Sequence, residues 1–251
     1  MAESGKVAIV TGGSRGIGRA AALKLGAAGF TIVVNYASNE AAATAVVNAI
    51  TTAGGKAVAI KGDVAKEADV LAIFATADRL GPLKVLVNNA GIMDRQSRLD
   101  EMSTERLRRL FDINIFGSVL CAREAVKRMS TKYGGTGGNI VNLSSAAAVL
   151  GAPGLGVEYA ASKGAIDVLT IGLAREVAAE GIRVNALRPG IIDTDIHDGS
   201  GIPNRVQMMR EHIPMKREGT ADEVADAIMW LCSDHASYVT GALVPVAGGR
   251  C

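Results

Sequence analysis

Tyr159 and Lys163 stand four positions apart in the run Glu158-Tyr-Ala-Ala-Ser-Lys163. On a helix that spacing turns both side chains to one face. The ammonium can then sit beside the phenol oxygen and favour its ionised form. An unperturbed tyrosine, with a pKa of about 10, is a poor proton carrier at neutral pH, and a neighbouring cation brings it toward the useful range. Tyrosine and lysine meet at this spacing on many helices by chance, so the pair gains meaning only from its company. That company is a glycine-rich turn near the N-terminus, an Asn-Asn-Ala-Gly run mid-chain, and the serine pair Ser144 and Ser145.

The turn reads TGGSRGIG from Thr11 to Gly18 and follows a short apolar run. Gly12, Gly16 and Gly18 permit a tight turn and let the amides around Ser14 and Ile17 approach a diphosphate at the positive end of a helix. No Gly-Lys-Ser/Thr follows, which disfavours nucleotide hydrolysis. An acid at the end of the second strand would accept hydrogen bonds from the ribose of NAD and repel a 2′-phosphate. Here Val34-Asn35-Tyr36-Ala37-Ser38 carries none, while Arg15 can pair with that phosphate and Asn35 and Ser38 can contact it. NADP(H) is the expected cofactor.

Further along, Asp63-Val64 can meet an adenine amino group. Asn89, Ala90 and Gly91 leave room for a flat cofactor, and the asparagines beside them can tie strand ends together. Asn114 interrupts an apolar helical stretch, where asparagine is a mediocre helix former, so it is expected to have a polar task or a kink to stabilise. After the sixth strand, Pro189, Gly190, Ile192 and Thr194 lie where backbone groups and a hydroxyl can hold a carboxamide.

These residues need a frame. Strands are expected at Val7–Val10, Thr31–Asn35, Ala57–Gly62, Val85–Asn88, Asn139–Leu143, Arg183–Leu187 and Ala242–Val246, most of them apolar on both faces. Helices begin near Arg19, Asn39, Lys66, Thr104, Tyr159 and Ala221. The alternation predicts an α/β fold: one Rossmann domain over residues 1–251, with a doubly wound parallel sheet of seven strands, helices on both faces, and ligands at the carboxyl strand ends. The stretch Ile191–Gly219, without a strand and with Asp193, Asp195, His197, Asp198, Met208 and Met209, is expected to be a substrate lid.

A net charge of +2 with no basic stripe argues against nucleic acid. Cys121, Cys232 and Cys251 have no metal or disulfide spacing, so no metal is expected and two of them read as core residues. A strand begins almost at once, leaving no room for a signal peptide, and no apolar run is long enough to span a bilayer. The expectation is a soluble cytoplasmic protein. Apolar residues Ala165, Ile166, Leu169, Leu173 and Val177 on the Tyr159 helix, with an exposed final strand, suggest a homotetramer or a homodimer.

TGGSRGIG, NNAG, the helical Asn114, the strand-end serine, YAASK and the Pro189-Gly190 to Thr194 run appear in the order found in single-domain short-chain dehydrogenases/reductases, which the chain resembles along its whole length. The resemblance implies that Ser145 polarises a carbonyl and that Tyr159 donates or accepts the proton. It implies that Lys163 binds the nicotinamide ribose and assists Tyr159, and that Asn114 holds a water linking Lys163 to solvent. Ser145 is preferred to Ser144 because the family's serine is normally the second of such a pair. Tyr159 follows Ser145 by 14 positions, one more than usual, which the Gly151–Val157 loop can absorb. The segments around Asn35 and Asp63 look like those of glucose 1-dehydrogenases and 3-oxoacyl-carrier-protein reductases. Glu180 stands where the latter place an arginine for their acidic carrier. The implied reaction is interconversion of a secondary alcohol and a carbonyl in a small molecule. A silent NADP-binding sensor is the alternative from another class.

Overall fold

A computed structural model describes residues 5–154, 156–194 and 205–250. Its strands are β1 (Val7–Val10), β2 (Thr31–Tyr36), β3 (Lys56–Lys61), β4 (Leu83–Asn88), β5 (Gly138–Leu143), β6 (Ile182–Pro189) and β7 (Leu243–Val246). Its helices are α1 (Gly16–Ala27), α2 (Glu40–Thr52), α3 (Glu67–Asp78), α4 (Thr104–Phe111), α5 (Gly117–Met129), α6 (Ala147–Leu150), α7 (Val157–Val177), α8 (Arg205–Met209) and α9 (Ala221–Cys232). The strands are all parallel in the order β3-β2-β1-β4-β5-β6-β7. The chain winds outward from β1 to β3, then returns to β4 and winds the other way. The reversal lies between β1 and β4, where ligands bind in such sheets.

Alternation along β1 explains the apolar run that marks it. Ala8 and Val10 join a core with α1, α2 and α9 residues such as Leu25, Val46 and Ile228. Val7 and Ile9 face the other way, into a core with Phe74, Cys121 and Val177. With helices on both faces, every β1 position is buried. Edge strand β3 instead mixes exposed and half-buried residues, with none fully buried.

Helix starts show which end is left open for a ligand. Asn39 caps α2 by accepting from the Ala42 amide at 3.0 Å, and Ser103 caps α4 from the Arg106 amide at 3.2 Å. Thr220 and Glu223 form a reciprocal box at the start of α9. Arg15, before α1, makes no side-chain cap, and the first turn of α1 holds no acid. Those amides keep their partial positive charge for something else.

Three details add to the sequence reading. The helix from Thr104 is two helices joined by a π-helical turn, Asp112–Phe116, with Asn114 inside it. On the apolar side of α7, Ile166 and Val177 are core, 1% and 2% exposed, while Ala165, Leu169 and Leu173 are only partly buried. On the π-helical turn, α5 and α7 the large apolar side chains left in solvent are Phe116, Val119 and Val168, the last 71% exposed. In the Ile191–Gly219 stretch the ends are joined by a parallel bridge, Ile192 to Gly219. Ile191, Val206 and Ile213 pack together there with Met209. Asp195, His197 and Asp198 lie outside the described residues. Among the described residues no helix is long and apolar enough to cross a membrane, and no cluster could hold a metal ion. Burial pushes the Cys121 thiol up to about 12, as it does Cys232 against the pull of Arg183.

Candidate active site

The carboxyl ends of β1, β2 and β4 build the first half of a cleft. Thr11 leaves β1 buried, and its hydroxyl accepts from the amides of Asn89 and Ala90, both at 3.0 Å. Asn89 answers by donating its side-chain amide to the Thr11 and Gly12 carbonyls at 2.9 and 3.0 Å. The glycine turn is thus clamped to the end of β4. A Cβ on Gly18 would lie 2.4 Å from the Gly12 carbonyl oxygen, so Gly18 lets the helix pack on the turn. Gly12 itself has φ +60°, a conformation that glycine adopts without strain. The cavity beside this turn is lined by Ser14, Arg15, Gly16, Ile17, Tyr36, Ser38, Asp63, Val64, Ala90 and Gly91, among others.

The second half lies at the ends of β5 and β6, under α6 and the start of α7. It is lined by Ser145, Tyr159, Lys163, Pro189, Gly190, Ile192 and Thr194. Ile17, Asn89, Gly91 and Thr194 line both halves, so the cleft is continuous. Lys163 is buried and donates to the Leu143 carbonyl at 2.6 Å. Its ammonium stands 5.6 Å from the centre of the Tyr159 ring. Burial pushes the Lys163 pKa down to about 8, with the Asp167 carboxylate pulling it back up. The group therefore remains mostly charged at neutral pH and loses its proton in the mildly alkaline range. Ser144 is buried and donates to the Lys163 carbonyl at 3.1 Å, whereas Ser145 faces the cleft and accepts from the Ala147 amide at 3.1 Å. Below them a polar ladder ties strands to α7: Asn88 donates to Asn142 at 3.1 Å, and Asn142 to Thr170 at 2.9 Å.

The profile of the family described as "Enoyl-(Acyl carrier protein) reductase" matches residues 12–250. The uncharacterized oxidoreductase YgfF of Escherichia coli is 55% identical over 97% of this chain and 99% of its own length. Glucose 1-dehydrogenase 2 of Bacillus subtilis is 41% identical over 98% of this chain and 95% of its own. A short-chain dehydrogenase from Burkholderia cenocepacia, solved in complex with NADP, superposes with a TM-score of 0.91 at 31% identity, covering 100% of this chain and 99% of that one. The chain is a short-chain dehydrogenase/reductase.

Within this short-chain dehydrogenase/reductase, all but two of the expected site residues line the cleft. Gly18 packs behind the turn. Asn114 is buried behind Gly91, where its side-chain oxygen accepts from the Ile92 amide at 2.8 Å. Its amide donates to the Ile92 carbonyl at 3.0 Å and to Ser162 at 3.1 Å. The side chain therefore joins the loop after β4 to the helix carrying Tyr159 and Lys163.

Asn35 lies near the end of β2. It lines the cleft but is 2% exposed, and its side chain is spent on protein partners. It accepts from the Gly12 amide at 3.3 Å and donates to the carbonyls of Ile60 and Gly62 at 3.4 and 2.9 Å. It braces the turn against β3 and has no donor left for a phosphate. Arg15, Ala37, Ser38 and Asn39 are exposed at that end and line the cleft.

The longer spacing between Ser145 and Tyr159 is taken up as α6 and a tight loop, in which Gly151, Ala152, Gly154 and Gly156 all have positive φ. Sequence reasoning did not find Met93, Leu150, Ala152, Ile191 or Arg250 on the catalytic half. Nothing local marks them, since each reaches the cleft only through the tertiary fold. The Glu180 carboxylate accepts from Ser130, a contact that fastens the end of the α7 region to the segment after α5.

Proposed function

We propose that this chain is an NADP(H)-dependent oxidoreductase that interconverts a secondary alcohol and a carbonyl in a small molecule. The observation that carries the reading is one continuous cleft, with Tyr159, Lys163 and Ser145 together at one end and an uncapped helix start at the other. The residues present fit a dinucleotide. A Cβ at Gly16 would lie 3.3 Å from Thr194, and one at Gly91 3.3 Å from the Asn114 side-chain oxygen, so these glycines keep open the floor on which a flat cofactor rests. The bound nicotinamide supplies or accepts the hydride. Amides of the glycine turn and the first turn of α1 hold the diphosphate. Lys163 binds the ribose next to the nicotinamide. Tyr159 passes a proton between its phenol oxygen and the substrate oxygen, Ser145 donates a hydrogen bond to that same oxygen, and a water on Asn114 links Lys163 to solvent.

Preference for the phosphorylated cofactor is supported by the end of β2, where no carboxylate lines the cleft. Arg15 beside it is exposed and makes no ion pair among the described residues. NADPH should bind at least about tenfold more tightly than NADH, a difference of about 1.4 kcal/mol. Arg15→Ala should narrow that gap, and Ala37→Asp should erase or reverse it by setting a negative charge on the exposed strand end. Asn35→Asp should instead destabilise the fold, since two carbonyls would face a buried carboxylate. Fluorescence titration of the free protein with both nucleotides checks this; equal affinities in the unmutated protein would remove the cofactor assignment.

Self-association belongs to the same reading, as a homotetramer or a homodimer. Phe116, Val119 and Val168 leave apolar surface in water, and β7 pairs with β6 alone, leaving an open edge. Light scattering should return a multiple of the 25.8 kDa chain mass; a single-chain mass at micromolar concentration would exclude it.

A further inference from the structure

We propose that Arg250 selects the substrate: the catalytic half of the cleft takes carbonyl compounds, or the matching alcohols, that carry a carboxylate. The proposal rests on the oxidoreductase reading above and deepens it. Arg250 lines the same cavity as Ser145 and Tyr159. No aspartate or glutamate lines that cavity among the described residues, and its other cation, Lys163, is buried and committed to the Leu143 carbonyl. The nearby Asp193 is exposed and off the lining.

Arg250 is partly buried, lines the cavity and makes no ion pair among the described residues. An arginine that lines the catalytic cavity and is unpaired among the described residues has its planar donor fork available for another carboxylate.

Its place is held by the sheet rather than by a loose tail. The Gly190 amide donates to the Val246 carbonyl at 3.0 Å, the Met215 amide to the Gly248 carbonyl at 3.1 Å, and the Arg250 amide to the Ala247 carbonyl at 3.0 Å. The packing is close enough that a Cβ on Gly190 would stand 2.8 Å from the Ala247 Cα, and one on Gly249 3.0 Å from Pro214. The turn after β7 therefore delivers Arg250 to one side of the segment after β6 that carries Gly190 and Ile191. The same cavity is lined in part by apolar Met93, Ala147, Leu150 and Ile191. Apolar surroundings strengthen a guanidinium–carboxylate pair and offer little to the hydroxyls of a neutral sugar.

The test uses the full-length protein, NADPH, and paired probes: 3-oxobutanoate, 4-oxopentanoate and 5-oxohexanoate, each against its methyl ester. For at least one chain length the acid should exceed its ester in kcat/KM by about tenfold or more. Arg250→Gln should lower kcat/KM for that acid by a similar factor through KM, while the ester stays within about twofold, because the lost contact is one of binding. Arg250→Lys should recover part of the preference. Esters reduced as well as acids at every length, acids not reduced at all, or a Gln variant that weakens acid and ester alike would each overturn the assignment. Failure here is distinct from failure of the reading beneath it. A protein that reduces the esters keeps the oxidoreductase function and loses only the role of Arg250, whereas one that neither binds NADPH nor reduces any probe loses both.

Discussion

Replacing Tyr159 with phenylalanine should leave NADPH affinity and thermal stability close to those of the parent and lower turnover by about two to four orders of magnitude. The ring is kept, so its packing at the start of α7 and the face it presents to Lys163 are kept. What goes is the one phenol in the catalytic half of the cleft that can carry a proton. Lys163→Met makes a companion test from the other side. It removes a cation that burial already holds down to about 8. In the direction of alcohol oxidation the pH at which activity rises should then move upward, because the phenol loses the charge that favours its ionised form. Turnover by Tyr159→Phe near that of the parent, on any substrate the parent uses, would reject the proton-carrier role.

The largest effect on stability is expected from Arg106→Leu. Glu158 precedes Tyr159, and its side chain is 1% exposed. Its counter-ion is Arg106 of α4, 2.5 Å away and 16% exposed, whose Nε lies 4.0 Å from Asp94. One Glu158 oxygen has no hydrogen-bond partner among the described residues, so Arg106 carries nearly all the compensation for burying that charge. Removing it strands a carboxylate in the interior, which costs about 3–5 kcal/mol. Replacing both partners, Arg106→Leu with Glu158→Leu, should recover most of the loss, since a buried pair is often worth little more than apolar side chains of similar volume. Urea unfolding of the parent and the two variants measures this. An Arg106→Leu midpoint equal to that of the parent would show that the pair is already solvated.

The contrast between what was legible in the sequence and what was not follows from the range of the interactions involved. Tyr159 and Lys163 advertise themselves because helical spacing is local, and the glycine turn because strand, turn and helix follow one another along the chain. The sheet is equally readable, since parallel strands covered on both faces leave unbroken apolar runs such as Val7–Val10. Asn35 looked like a cofactor contact from its place at a strand end. Its true partners, on Gly12 and beyond β3, become neighbours only when three strands are in register. The apolar residues of α7 likewise show that a broad face is covered, but not by what. Only the packing sends Ile166 and Val177 into the core and leaves Val168 outside. Asn114 was recognisable as a misfit in a helix, yet periodicity cannot distinguish a helix with a π turn from one without. Arg250, at the far end of the chain, has no local signature at all.

In the proposed reaction this cleft moves a hydride between a nicotinamide and a carbonyl while Tyr159 moves the proton. The most direct measurement supplies NADPH deuterated at the transferable position of the nicotinamide, together with a panel of ketones, oxo acids, oxo esters and aldoses, and locates the label by mass spectrometry or NMR. Deuterium should appear on the carbinol carbon of at least one product of the parent enzyme and be almost absent with Tyr159→Phe over the same time. Label appearing equally with the Phe variant, or no reduction of any carbonyl by a parent protein that binds NADPH, would contradict this reaction.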